Sequence, residues 1–311
     1  MTFPFRFGVQ ASGPFSSRAQ WVELARRVED LGFATLSLPD HLDDQLAPTP
    51  ALMAAADATT GLRIGALVWC NDYRHPTVLA KETATLDLLS DGRLELGLGA
   101  GWMRSDYDAA GLTYDRPGIR IERMVESVAI LKGLFADGPF GFEGEHYRIT
   151  ALEGTPKPVQ RPHPPLLIGG GGPRMLRLAG RHADIVGVNP NLARGAITAE
   201  VGQDATAERY RAKLAWVREG AGDRMDAVEL NVRCFFVVPS DDPRGTAEAM
   251  AGGLGLTADE ALDSPLALVG SPAWMTEVVL ERRERFGFSY VTVGAGDLDA
   301  FAPVVAELAG R

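Results

Sequence analysis

The sequence predicts a single (β/α)₈ barrel of the TIM type spanning residues 1–311, and three observations predict it. Short apolar runs alternate with amphipathic segments, the rhythm of successive βα units. Eight such runs can be counted, each followed by a helical segment. A chain of 311 residues is also an ordinary length for a barrel folded as one domain.

Residues 5–9 form the first expected strand. Ser16 or Ser17 caps a helix over residues 19–31, which Gly32 ends. Residues 35–38 are a second strand, running into Pro39-Asp40-His41. A helix over 50–59 precedes the third strand, 62–69. His75-Pro76 opens a helix that continues to Leu89 and stops at Asp91-Gly92; residues 94–98 are the fourth strand. Next comes a long helix over 119–135, with an apolar stripe at Ile121, Met124, Val128, Leu131 and Leu134.

The rhythm then breaks. Glycines and aromatics over 138–149 suggest a hairpin, and the proline-rich residues 156–165 a loop. It resumes with a strand at 166–168, a helix at 173–180 and a strand at 185–188. A helix over 205–219 leads to a strand over 228–238; a helix over 272–286, a strand over 290–293 and a helix over 297–308 close the chain. Two insertions stand out, at about 137–164 and 240–266, and both are expected at the C-terminal face, shaping a pocket. The structural rival is a doubly wound open sheet. It would carry a glycine fingerprint after the first strand, which Gly8-Val9-Gln10-Ala11-Ser12-Gly13 does not supply.

Composition narrows the function classes. A formal charge of −10 argues against nucleic acid or an anionic membrane as partner. Cys70 and Cys234 form no Cys-x-x-Cys pair, so neither a disulfide framework nor a zinc site is expected. No signal peptide or bilayer-spanning run is visible, which makes a cytoplasmic protein the expectation.

Gly169-Gly170-Gly171-Gly172 follows a strand and opens a helix at Pro173. Glycines let backbone N–H groups approach a phosphate, and the helix N-terminus adds positive potential. Arg174 adds charge there. The bland alternative is a flexible turn. Gly97-Leu98-Gly99-Ala100-Gly101-Trp102 misses a dinucleotide fingerprint because Trp102 replaces its third glycine. Its small residues suit either a flat heterocycle or a packed helix. Asp40-His41 ends the second strand, where barrel active sites are built, and such a pair suits proton transfer. Cys70 lies in a polar, aromatic segment and reads as a buried inert thiol more readily than a reactive one. The other histidines (His75, His146, His163 and His182) show no metal spacing, so no metal is expected and the chemistry falls to a bound cofactor.

Taken in order, several segments carry a resemblance: Leu38-Pro39-Asp40-His41, Asn71-Asp72-Tyr73-Arg74-His75-Pro76, residues 86–102, Phe142-Glu143-Gly144-Glu145-His146-Tyr147, residues 167–172 and residues 178–184. The chain resembles the luciferase-like monooxygenase superfamily, in particular its oxidoreductases that use the deazaflavin coenzyme F-420 (F420 below). The resemblance covers most of the chain to about Val188. It implies a barrel that binds F420, or alternatively FMN, at the strand C-termini, acts on a small molecule and pairs as a homodimer.

It also implies site residues. Asp40 and His41 would be catalytic, His41 moving a proton and Asp40 setting its tautomer. Leu67 and Val68 would hold a bulge or cis peptide against the ring, Ala100 and Gly101 would flank it, and Gly170, Gly171 and Gly172 would receive the phosphate with Arg174 beside them. Gln10, Trp102 and Cys70 would meet substrate. Two positions depart from hydride-transferring relatives: Trp102 and Gln10 stand where several of them carry acidic residues, which points to an apolar or planar substrate rather than a sugar phosphate. Three functions compete: F420-dependent hydride transfer, FMN-dependent monooxygenation, and cofactor binding without catalysis.

Overall fold

A computed structural model describes residues 3–196 and 198–311. Eight parallel strands run β1 (Arg6–Gln10), β2 (Thr35–Leu38), β3 (Arg63–Ala66), β4 (Leu94–Gly99), β5 (Leu166–Gly170), β6 (Ile185–Val188), β7 (Glu229–Arg233) and β8 (Phe288–Gly294). Each pairs with the next, and β8 pairs back onto β1, Val291 facing Phe7, so the sheet closes. All residues of β2, β4 and β6 are buried, as expected where helices cover the outside and side chains fill the inside.

The covering helices are α1 (Arg18–Asp30), α2 (Pro48–Ala58), α3 (Pro76–Leu89), α4 (Pro117–Phe135), α5 (Pro173–His182), α6 (Ala207–Ala221), α7 (Pro272–Phe286) and α8 (Leu298–Leu308). Ser17 Oγ caps α1 by accepting from the Gln20 N–H at 3.3 Å, and Trp21, Val22, Ala25 and Val28 form its buried stripe. Five of these helices open on a proline, whose fixed φ and missing N–H cost nothing in the first turn. Truncating a core contact such as Leu96 or Ile168 to alanine would cost about 2–5 kcal/mol.

At the N-terminal end of the barrel, Arg6 donates Nε to Glu229 Oε1 at 2.8 Å and also pairs with Glu95. Arg63 Nε meets Glu95 Oε1 at 2.9 Å, and the Arg6 guanidinium lies 3.8 Å from the Tyr290 ring centre. Burial alone would raise the Glu95 pKa; Arg6 and Arg63 outweigh it, and the carboxyl is held below its ordinary range.

Two predicted strands are in fact broken. The run 62–69 forms β3 only to Ala66; the Leu67–Val68 peptide is cis, and Trp69–Cys70 then rejoins the sheet opposite Leu98 and Gly99. Tertiary hydrogen bonds fix this break. The Leu67 N–H donates to the Leu38 carbonyl at 2.8 Å, and Gln10 Nε2 donates to the Leu67 carbonyl at 2.6 Å. The run 228–238 likewise splits, because Phe236–Val238 leaves the barrel and pairs with Ala267–Val269. Helices Pro243–Ala251 and Ala258–Asp263 fill the interval, with a small apolar cluster of their own around Ala247, Ala251 and Ala261.

Of the two insertions, one sits as expected and the other does not. Segment 240–266 covers the C-terminal face and lines its cavity. Segment 137–164 does not line it among the described residues. A hairpin, Phe140–Glu143 with Arg148–Leu152, lies against α4, and Gln160 then bonds to Asp87 and to the Leu94 carbonyl where β4 begins. The reason is topological: this segment joins a helix to the next strand, so it must deliver the chain to the opposite end of the barrel. Helices Arg104–Ala110 and Ala199–Gln203, which no pattern announces, lie in connections that follow strands.

Candidate active site at the barrel mouth

A cavity of about 790 Å³ opens over the C-terminal strand ends. Every predicted site residue lies on its wall: Gln10, Asp40, His41, Leu67, Val68, Cys70, Ala100, Gly101, Trp102, Gly170, Gly171, Gly172 and Arg174. Their contacts, however, redistribute the expected roles.

Asp40 and His41 do not act on each other. Asp40 is buried, takes both terminal nitrogens of Arg74 at 2.7 and 3.2 Å, and accepts the Cys70 N–H at 2.9 Å. Neighbouring side chains on an extended segment point apart, so Asp40 faces Arg74 while His41 faces the loop after β4. There His41 Nδ1 meets Asp106 Oδ2 at 2.7 Å. A carboxylate can only accept, so the shared proton sits on Nδ1, leaving Nε2 as the ring's second nitrogen. Asp106 is 5% exposed and also accepts from Tyr73 Oη at 2.9 Å. Burial, then Cys70 and Asp106, push the Tyr73 phenol well above its ordinary value, so it stays a donor. Trp102 packs edge-on against His41, with ring centres 5.6 Å apart.

Gln10 was expected to meet substrate, but both ends of its amide are engaged. Nε2 holds the Leu67 carbonyl at 2.6 Å, and Oε1 accepts from Arg233 Nε at 2.9 Å. It braces the β3 break from inside the barrel. Cys70 is buried with Sγ 3.6 Å from Tyr107 Oη, and burial pushes its thiol up to about 11. It is a protonated wall group at neutral pH.

Gly172 is the N-cap residue of α5 and Pro173 its first helical residue. The first-turn N–H groups of Arg174 and Met175 precede the hydrogen-bonded ladder, which begins with the Leu176 N–H on the Gly172 carbonyl at 3.0 Å. A Cβ on Gly170 would strike Met175, and one on Gly171 the Pro190 backbone, so packing alone already requires those two glycines. Gly172 has more room, 3.5 Å to the Asn191 side chain. Arg174 is not free for a ligand: its guanidinium pairs with Glu122 at 2.8 Å. That pairing holds the Glu122 carboxyl below its usual range.

The sequence reading missed Arg120. It is 2% exposed on the cavity wall, and its Nε and Nη1 are buried without a hydrogen-bond partner among the described residues. The Tyr114 ring lies 4.1 Å beneath its guanidinium. The signal was present in the sequence, since Arg120 falls on the buried stripe of α4 with Met124, Val128 and Leu131. An arginine cannot shed its charge, and an unpaired one on an apolar stripe implies an anion from elsewhere. Glu122, Glu145 and His146 bring ligand atoms within 4.8 Å of one another, a spacing the sequence did not show, but Glu122 is already held by Arg174.

A closed parallel barrel with a large, mostly apolar cavity at the strand ends defines the class: a TIM-type barrel. Within that class the chain belongs to the luciferase-like monooxygenase family, whose sequence model matches residues 1–290. An F420-dependent glucose-6-phosphate dehydrogenase of Microbacterium testaceum is 33% identical over 192 residues, 59% of this chain and 56% of its own. The FMNH2-dependent dimethylsulfone monooxygenase of Pseudomonas putida is 27% identical over 208 residues, 67% of this chain and 52% of its own. The chain thus spans about half the length of these curated relatives. The coenzyme F420-dependent tetrahydromethanopterin reductase of Methanopyrus kandleri superposes with a TM-score of 0.78 at 21% identity, covering 98% of this chain and 99% of that one, a likeness of fold. Among the described residues, no helix is long and apolar enough to cross a membrane.

Proposed function

We propose that the protein is an oxidoreductase that holds F420 at the barrel mouth and moves a hydride between it and a small organic substrate. The observation that carries this reading is Arg120, a buried guanidinium on the same cavity wall as the glycine turn and without a carboxylate partner among the described residues. A phosphate there would pair its charge. The donors that would hold it are Arg120, the Gly170 to Gly172 backbone, and the first-turn N–H groups of α5. Leu67 and Val68 on one side and Ala100 and Gly101 on the other would bound the ring. F420, when bound, supplies a two-electron hydride carrier.

His41 then holds or delivers the accompanying proton at Nε2, with its ring steadied by Asp106 and Trp102. Asp40 positions rather than reacts, tying Arg74 to the Cys70 backbone. The apolar wall excludes water from the hydride path. The same reading takes the chain as one domain, paired as a cytoplasmic homodimer; light scattering of the purified protein checks the pairing.

The second reading, an FMN-dependent monooxygenase, is favoured by the relative that uses FMNH2, whose match runs over 67% of this chain. Both cofactors bring a phosphate, so Arg120 does not separate them. Titration with F420 and with FMN, followed by fluorescence, does: saturable F420 binding with weak or no FMN binding is expected. Tight FMN binding without F420 binding would reverse the choice.

A further inference from the structure

Besides Arg120, a second cation faces the cavity without a carboxylate. Arg233 ends β7 and lies on the wall. Its Nε is spent on Gln10, and its Nη1 donates to the Cys234 carbonyl. Phe235 lies 4.9 Å from the guanidinium. Nη2 has no hydrogen-bond partner among the described residues, and no carboxylate approaches within 4.0 Å. Other partly buried arginines behave differently. Arg6, Arg63, Arg74 and Arg123 each meet a carboxylate. Arg93, Arg224 and Arg282, without one, donate to backbone carbonyls and do not line the cavity. Asp297 sends some field toward Arg233, but its carboxylate accepts from the Gly294 N–H at 3.0 Å. Burial still holds the Arg233 pKa below its ordinary value.

Beside Arg233 the cavity continues under segment 240–266, against Phe236, Ala247, Met250, Leu256, Leu266 and Val269. The polar side chain that segment contributes to the wall is Ser264, whose hydroxyl is committed to the Ala205 carbonyl at 2.7 Å. This lobe has nothing to offer a sugar, a phosphate or a polyol. It suits hydrocarbon, with a single open cation at its entrance.

We infer that the substrate is an apolar carboxylic acid, its carboxylate taken by Arg233 and its hydrocarbon body lodged under segment 240–266. The word substrate rests on the proposed oxidoreductase function; the binding site does not. The test therefore uses the full chain without added cofactor. Calorimetric titration compares decanoate with decanamide, which share a body and differ in the charged head. Decanoate is expected to bind about tenfold more tightly. Arg233→Gln should erase that preference while leaving decanamide within about threefold, and Arg233→Lys should retain part of it. Met250→Glu, which leaves Arg233 in place, should weaken both ligands. Equal binding of the two by the unaltered protein, no binding of either, or a preference that survives Arg233→Gln would overturn the inference. Failure of F420 to bind would leave this result standing and sink only the cofactor assignment.

Discussion

At the N-terminal end of the barrel, Arg6 and Arg63 are matched by Glu95 and Glu229; at the mouth, Arg120 and Arg233 meet no carboxylate among the described residues. The residue type is the same, and Arg120 is the more deeply buried. What differs is the partner. A buried charge that is matched within the chain contributes to closing the fold, whereas one left open stores a demand that a ligand can meet. The barrel thus has one end finished by its own side chains and, in the function proposed above, one end that a ligand completes.

The largest effect should come from the mouth. His41→Ala is expected to lower turnover by about 10²- to 10⁴-fold while F420 affinity stays within a few-fold, read by steady-state kinetics and fluorescence titration. Unchanged turnover would remove His41 from the chemistry. Next, Arg6→Gln should lower unfolding free energy by about 3 kcal/mol in urea, because Glu95 and Glu229 would lose a shared cation. Arg120→Gln is the counter-experiment. It should leave urea stability equal or higher and weaken F420 binding about 10- to 100-fold. If both substitutions destabilise alike, the contrast between the two ends fails.

Asp106→Asn should reduce kcat about tenfold with little change in cofactor affinity, and Asp106→Glu should recover part of the loss. An unaltered kcat would leave Asp106 with a merely structural part. The smallest effect concerns acid. The Glu95 pKa is depressed in the fold, so its contribution is complete above its ordinary value of 4.5 and disappears as pH falls through the lower folded value. Unfolding midpoints in urea should therefore fall with pH in that range, and less so in Glu95→Gln.

Much of the architecture was legible because it is written locally. Apolar runs marked the strands, and prolines marked helix starts at Pro76, Pro173 and Pro272. The glycine turn marked a strand-to-helix switch. What the sequence hid depends on distant partners. The cis peptide at Leu67–Val68 is the one the resemblance implies; its partners, Leu38 and Gln10, are distant in the chain and no local pattern names them. The seven-residue helix Arg104–Ala110 is too short to show a period, so Asp106 could not be seen as the partner of His41, and the adjacent Asp40 was taken instead. The position of segment 137–164 follows from connection order alone, since it joins a helix to the next strand.

The strands Phe236–Val238 and Ala267–Val269 run parallel, side by side just outside the barrel, so segment 240–266 is a crossover from the end of one to the start of the other. With its own small cluster around Ala247, Ala251 and Ala261, it behaves as a cassette. The register of β7 against β8 is fixed by pairs that do not involve it. A graft between those two strands should therefore change the roof of the pocket without altering the register of the walls.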